Sequence, residues 1–141
     1  MNIFFFLTPK SNCTFIYDDF TIRQALEHME ATRFATIPIL RRDGGYLGTI
    51  TEGDLLWAIK TKYMMSMKDA ESHPVIEVPR RKDYQPVTVT TTSAELLQMA
   101  VGQNFVPMVD DRDMFIGIVT RQKLMQYCLD AYFEHQLQLT P

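Results

Sequence analysis

Read for alternation and helical spacing, the 141-residue chain runs through the same succession of short elements twice. Phe15-Ile16-Tyr17 is an aromatic and β-branched run that predicts a strand. Ile22, Leu26 and Met29, with Ala25 beside them, recur at helical spacing. Ile37-Pro38-Ile39-Leu40 predicts a second strand, its proline marking a strand start or edge. After the polar turn Arg41-Arg42-Asp43-Gly44-Gly45, a third strand runs from Tyr46 to Thr51, and a helix follows from roughly Asp54 to Lys62. The second pass has Val87-Thr88-Val89 as a strand, Leu96, Leu97 and Ala100 on a helix, and Val106-Pro107-Met108-Val109 as a strand. The turn Asp110-Asp111-Arg112-Asp113 then leads to a strand from Phe115 to Thr120 and a helix from Arg121 to about Tyr132. Thr21 and Ser93 are placed to cap the first helix of each pass.

The two passes are one repeat. Pro38 and Pro107, Gly48 and Gly117, and Thr51 and Thr120 each lie 69 residues apart. Leu26 and Met29 precede Leu96 and Met99 by 70. One β-α-β-β-α unit is too small to bury both faces of its sheet, so two must pack against each other, sheet to sheet. The expected architecture is a mixed α/β (α+β) pair, with residues 1–66 and 67–141 as the units. Residues 63–86 hold the connector, in which Val75-Ile76-Glu77-Val78 is placed as an entry into the second unit.

Composition narrows the function. With 46% hydrophobic and 22% charged residues the chain can bury a core. A net charge of −3 lacks the basic excess of a nucleic-acid binder. The apolar run Ile3-Phe4-Phe5-Phe6-Leu7 is too short to cross a membrane and has no basic flank of a secretory signal. Cys13 and Cys128 are far apart and form no metal-like spacing, and with nine methionines they fit a reducing cytoplasm. His28, His73 and His135 are scattered, so no metal site is expected. No nucleophile elbow, phosphate loop or Cys–His pair marks a catalyst, so the chain reads as no enzyme.

Ile37-Pro38-Ile39 followed by Gly48-Thr49-Ile50-Thr51-Glu52-Gly53-Asp54-Leu55 resembles the CBS-domain family. Val106-Pro107-Met108-Val109 followed by Gly117-Ile118-Val119-Thr120-Arg121-Gln122-Lys123-Leu124 resembles it a second time. The resemblance runs from about Lys10 to about Tyr132, and the chain looks like a small bacterial protein made only of a CBS pair. It implies a pseudo-two-fold pair, often a homodimer. It also implies two clefts that take AMP, ADP, ATP, cyclic di-AMP or S-adenosylmethionine, and a target protein that reads the bound state.

In that family a Ser/Thr-x-x-Asp motif opens the last helix of each unit, the acid holding the ribose hydroxyls and the hydroxyl residue meeting phosphate. Thr51 and Asp54 match it, and the same two residues also form a helix capping box. By resemblance they share the first cleft with Pro86, Val87, Asn104 and Phe105. The second cleft takes Thr120, Arg121 and Lys123 with Lys10, Asn12, Cys13, Ala35 and Ile37. There Lys123 stands where the acid belongs. Either the second cleft favours phosphate, through Arg121, Lys123 and Lys10, or it is degenerate and its cations face solvent. Backbone near Ala35 and Asn104 is placed to read an adenine edge.

Some features fit packing better than chemistry. Met64, Met65 and Met67 are expected at a core edge or interface, Trp57 in packing that includes a second protomer, and Arg80-Arg81-Lys82 on the surface or at a cleft mouth. Ala131 to Leu139 either extends the last helix or frays. Two readings follow: a regulatory sensor of adenine nucleotides, or a ligand-free interaction module whose own side chains fill its clefts.

Overall fold

The computed structural model of the chain describes residues 2–62 and 68–139, so Met64, Met65 and Met67 lie outside the described residues. The first repeat forms a sheet of β2 (Ile16–Tyr17), β3 (Thr36–Leu40) and β4 (Tyr46–Thr51), ordered β2-β3-β4. The second forms β5 (Phe105–Val109) and β6 (Phe115–Thr120). The N-terminal β1 (Leu7–Pro9) joins that second sheet, giving the order β1-β6-β5. The helices are α1 (Ile22–Thr32), α2 (Glu52–Trp57, continued by a π-type turn over Ala58–Lys62), α3 (Ser93–Gly102) and α4 (Arg121–Leu139).

The repeat is visible in hydrogen bonds as well as in sequence. Each antiparallel hairpin shifts register at the same place, between Ile39 and Leu40 and between Met108 and Val109. Ile16 lies parallel to Ile39, and Val87 lies parallel to Met108. The expected strand Val87-Thr88-Val89 is reduced to that single bridge, because a turn starts at once: the Thr91 N–H bonds to the Thr88 carbonyl and the Thr88 N–H to the Thr91 hydroxyl.

Three capping boxes start helices: Thr21 with Gln24, Thr51 with Asp54, and Thr92 with Glu95. The third corrects the expected cap at Ser93, which is the first helical residue; only Thr92 has an acid three residues on to return the bond. The last helix runs on to Leu139, seven residues past the expected end. Val75-Ile76-Glu77 forms a 3-10 turn and does not enter the second unit. Val75 and Val78 are buried in the first core with Ile16, Ile22, Ile37, Ile50 and Leu55. The connector therefore covers the unit it leaves. The second core gathers Leu96, Val106, Met108, Val119 and Leu124, and Ile3 and Phe6 from the N-terminus pack into it. Each fully buried Ile or Leu contributes about 1.5–3 kcal/mol.

The two hairpin turns meet at a local dyad. The Tyr46 N–H bonds to the Asp113 carbonyl at 3.1 Å, and the Phe115 N–H to the Gly44 carbonyl at 2.9 Å. Tyr46 and Phe115 are repeat mates, as are Gly44 and Asp113, so the two bonds are one contact made twice. Gly44 and Asp113 both have positive φ, 99° and 61°, which carries the chain round each turn. The rings of Tyr46 and Phe115 stack across the dyad at 6.3 Å.

Gly117, repeat mate of Gly48, lies against β1 with φ of 155°, and a Cβ there would strike the Thr8 carbonyl. Gly117→Ala is expected to lower stability by about 1–3 kcal/mol in urea unfolding. Gly53 in α2 has nothing nearer than 3.6 Å to such a Cβ. Gly53→Ala should therefore be neutral or stabilising by up to about 1 kcal/mol, since alanine holds helix better than glycine.

Candidate functional site

The first cleft begins at the Thr51-Glu52-Gly53-Asp54 turn, and its capping box uses one carboxylate oxygen of Asp54 on the Thr51 N–H at 3.0 Å. The other oxygen accepts from the Arg81 N–H at 3.1 Å. The connector continues across the outer edge of β4. Asp83 accepts from the Thr49 N–H at 3.1 Å, and the Thr49 hydroxyl accepts from the Tyr84 N–H at 3.0 Å while donating to the Lys82 carbonyl. Gly48 is a requirement of this contact, because a Cβ there would strike the Asp83 carboxylate.

Arg80 locks the segment by two bonds to Asp83, at 2.7 and 3.1 Å, and one to the Ile76 carbonyl. The bond to Asp83, more than burial, governs Arg80 and raises its guanidinium pKa. The Tyr46 hydroxyl donates to the Tyr84 carbonyl at 2.7 Å. Burial, and then the nearby Asp83 charge, push the Tyr46 phenol well above its ordinary range, so it stays a donor. Tyr84 sets its ring edge-on to Phe105 at 5.0 Å, and its hydroxyl accepts from the Asn104 N–H at 3.3 Å. Of the expected first-cleft residues, Asp54 and Asn104 thus meet the connector. Pro86 is exposed, and Val87 is buried against β5, its N–H and carbonyl both bonded there.

The second cleft is open. A cavity of about 330 Å³ is lined by Asn12, Cys13, Ala35, Ile37 and Thr120, five of the residues expected there, together with Asn104 and Phe105 from the other expected set. Thr8, Thr14, Phe34, Thr36, Pro38 and Ile118 complete it. A 3-10 turn over Lys10–Asn12 folds the chain back after β1 and delivers Asn12 and Cys13 to the wall. The Cys13 thiol donates to the Thr8 and Pro9 carbonyls, and burial raises its pKa, so it is a neutral wall group. The Lys123 N–H is capped by the Thr120 hydroxyl, and its ammonium reaches the Thr8 hydroxyl at 3.2 Å. Lys10, Arg121 and Lys123, also expected there, do not line this cavity, and of the three Lys123 touches one of its wall residues, Thr8. Lys10 lies over the Phe15 ring, and Arg121 turns to the end of α3, donating to the Ala100 carbonyl at 2.7 Å and to Val101.

The helix starts at the two clefts differ in charge. Glu52 and Asp54 stand in the first turn of α2, whereas the first turn of α4 has no acid and carries Arg121 and Lys123. On the far side of α4, an apolar groove of about 1030 Å³ runs between α3 and α4, lined by Leu97, Val101, Leu124, Met125 and Leu129 among others. Among the described residues no group of three or more His, Cys, Asp and Glu side chains is placed to hold a metal ion, and no helix is long and apolar enough to cross a membrane.

Asp83, Tyr84, Thr49 and Gln103 belong to the site but carry no motif in the sequence. A signal existed. Thr49 and Gln103 are both buried, and their repeat mates Ile118 and Phe34 are apolar. A polar residue in one repeat where the other has an apolar one calls for a partner inside the fold.

Residues 7–61 match the family model of the CBS domain. The structure is similar to that of CbpB in complex with cyclic di-AMP, with a TM-score of 0.85 over 98% of this chain and 91% of that one at 18% identity. A CBS domain protein from Streptococcus pneumoniae gives 0.81 over 92% and 86% at 23% identity. CBSX2 in complex with AMP gives 0.72 over 93% and 98% at 19% identity. None of the curated proteins matches the chain in sequence. The first repeat thus carries a match to the CBS domain, and over almost its whole length the chain shares the fold of tandem CBS-pair structures.

Proposed function

We propose that the chain is a regulatory module of the cytoplasm that binds an adenine nucleotide in its second cleft and signals to a target protein, without catalysing a reaction. The observation that carries this reading is the 330 Å³ cavity between the repeats, within the size range of small-molecule sites. Ile37, Pro38, Phe105 and Ile118 offer apolar cover for a base, and Thr8, Asn12, Thr36, Asn104 and Thr120 offer polar contacts for its edge and sugar. The cavity lining holds no carboxylate, and the Lys123 ammonium lies beside it on the Thr8 hydroxyl at the start of α4, an arrangement that favours phosphate. CbpB and CBSX2, similar in fold, are bound to cyclic di-AMP and AMP respectively.

The module acts as a homodimer in this proposal, with the α3/α4 groove as the contact. Met125, Leu129, Tyr132, Phe133 and Leu137 follow one another at helical spacing along α4 and are all exposed, as is Val101. So large an apolar stripe marks an interaction surface. A second copy presents the same stripe, as a two-fold interface requires.

A thermal-shift panel of AMP, ADP, ATP, cyclic di-AMP and S-adenosylmethionine tests the ligand. At a hundred times its dissociation constant the true ligand adds about 2.7 kcal/mol, a rise of several degrees in Tm. Lys123→Glu should weaken that ligand tenfold or more in calorimetry, the loss of a charge-assisted bond being about 1.5–3 kcal/mol. No shift with any of the five on ligand-free protein would remove the reading. For the dimer, Met125→Glu should convert the sedimenting species to monomer; a parent that sediments as a monomer rejects it.

A further inference from the structure

We propose that the connector is a built-in occupant of the first cleft, so that the chain offers one nucleotide site rather than two and Asp54 is withheld from ligand. The inference rests on the reading of the second cleft as the nucleotide site, and it follows from comparing the two clefts residue by residue through the repeat. The open cavity is lined by Phe34, Ala35, Ile118 and Thr120. Their mates 69 residues away are Gln103, Asn104, Thr49 and Thr51.

Three of those four mates are bonded to the connector. Gln103 takes the Gln85 N–H on its carbonyl oxygen at 3.1 Å and gives its amide N–H to the Gln85 carbonyl. The Asn104 N–H goes to the Tyr84 hydroxyl, and Thr49 meets Lys82, Asp83 and Tyr84. The fourth, Thr51, shares Asp54 with the Arg81 N–H. What is space in one cleft is backbone, carboxylate and phenol in the other.

The cause lies in two residue types. Phe34 and Ile118 offer a passing chain no hydrogen bonds, and the segment opposite them, β1 and its 3-10 turn, lines the cavity without filling it. Gln103 and Thr49 are buried to within a few per cent and must be satisfied inside the protein. The connector satisfies both. It also supplies Tyr84, whose ring edge lies on Phe105, and a peptide N–H for Asp54 that does the work a ligand hydroxyl would do.

Equilibrium dialysis with AMP or cyclic di-AMP, whichever stabilises the parent, tests this on the full chain. The parent is expected to bind one equivalent per chain. Tyr84→Ala removes the phenol and should admit a second, weaker equivalent, lost again in Tyr84→Ala/Asp54→Ala. Two equivalents on the parent, or one on a folded Tyr84→Ala, overturns the plug. If the parent binds none, the second-cleft reading fails; the plug then stands only if Tyr84→Ala gains a site. Should Tyr84→Ala not fold, amide hydrogen exchange on the parent decides. Ligand should slow exchange around Asn12 to Thr14 and leave Arg81 and Thr49 with the change of core amides. Selective slowing at Arg81 and Thr49 would refute the inference.

Discussion

The outer edges of β4 and β6 set the terms for everything else. Each strand pairs on one side with its hairpin partner, which leaves a row of N–H and carbonyl groups on the other. The second repeat solves this with backbone: β1 pairs with β6 over Leu7–Pro9, and Gly117 lets the Thr8 carbonyl come close. The first repeat solves it with side chains: Asp83 takes the Thr49 N–H across the space that Gly48 leaves free. A ladder of three residues ends and turns away into a 3-10 turn, leaving a cavity beside it. A run of side-chain contacts needs the covering chain to stay close for five residues, and that fills the cleft.

The reciprocal turn contact makes this difference matter. Because Tyr46 and Phe115 donate across the dyad to Asp113 and Gly44, the two units are held in one symmetric relation, and the clefts on either side are built from corresponding residues. Symmetry of the frame with asymmetry of the lining is the useful state. The acids of α2 lie at the filled cleft, and the Lys123 ammonium of α4 lies beside the open one, on Thr8. A nucleotide phosphate would meet repulsion at the first and attraction at the second, so charge and occupancy point the same way.

The repeat was legible because both copies keep the same strand, turn and cap chemistry: two hairpins, the mates Gly48 and Gly117, and hydroxyls at Thr51 and Thr120. Ser93 and Thr92 are both good caps, and only the partner Glu95 tells them apart. What the sequence hid was non-local. Leu7-Thr8-Pro9 has no alternation to mark a strand, since three residues make only one ladder and Gly117 fixes its place. Val75 to Val78 has strand-forming residues, yet burial in the first core bends it into a 3-10 turn. The connector's role depended on Asp83 and Tyr84, which in isolation look like any polar loop. The one available clue was relative: Thr49 against Ile118 and Gln103 against Phe34.

The first turn of α4 belongs to two surfaces at once. Thr120 lines the cavity, while Arg121, Leu124 and Met125 line the apolar groove on the other face. Arg121 also ties that turn to α3 by holding the Ala100 and Val101 carbonyls, the last acceptors of a helix with no capping bond of its own at Gln103. An anion that drew Arg121 toward the cavity would have to break those bonds and so free the end of α3 at the groove. In the homodimer proposed above, the binding of such an anion and the binding of a second copy would then be linked with equal force in both directions, since each would change the free energy of the arrangement the other needs. A nucleotide that reached only Thr120 and Lys123 would leave Arg121 in place and have no such lever. For the sensor proposed above, which of these two a given nucleotide does would separate a ligand that merely stabilises the fold from one that signals through it.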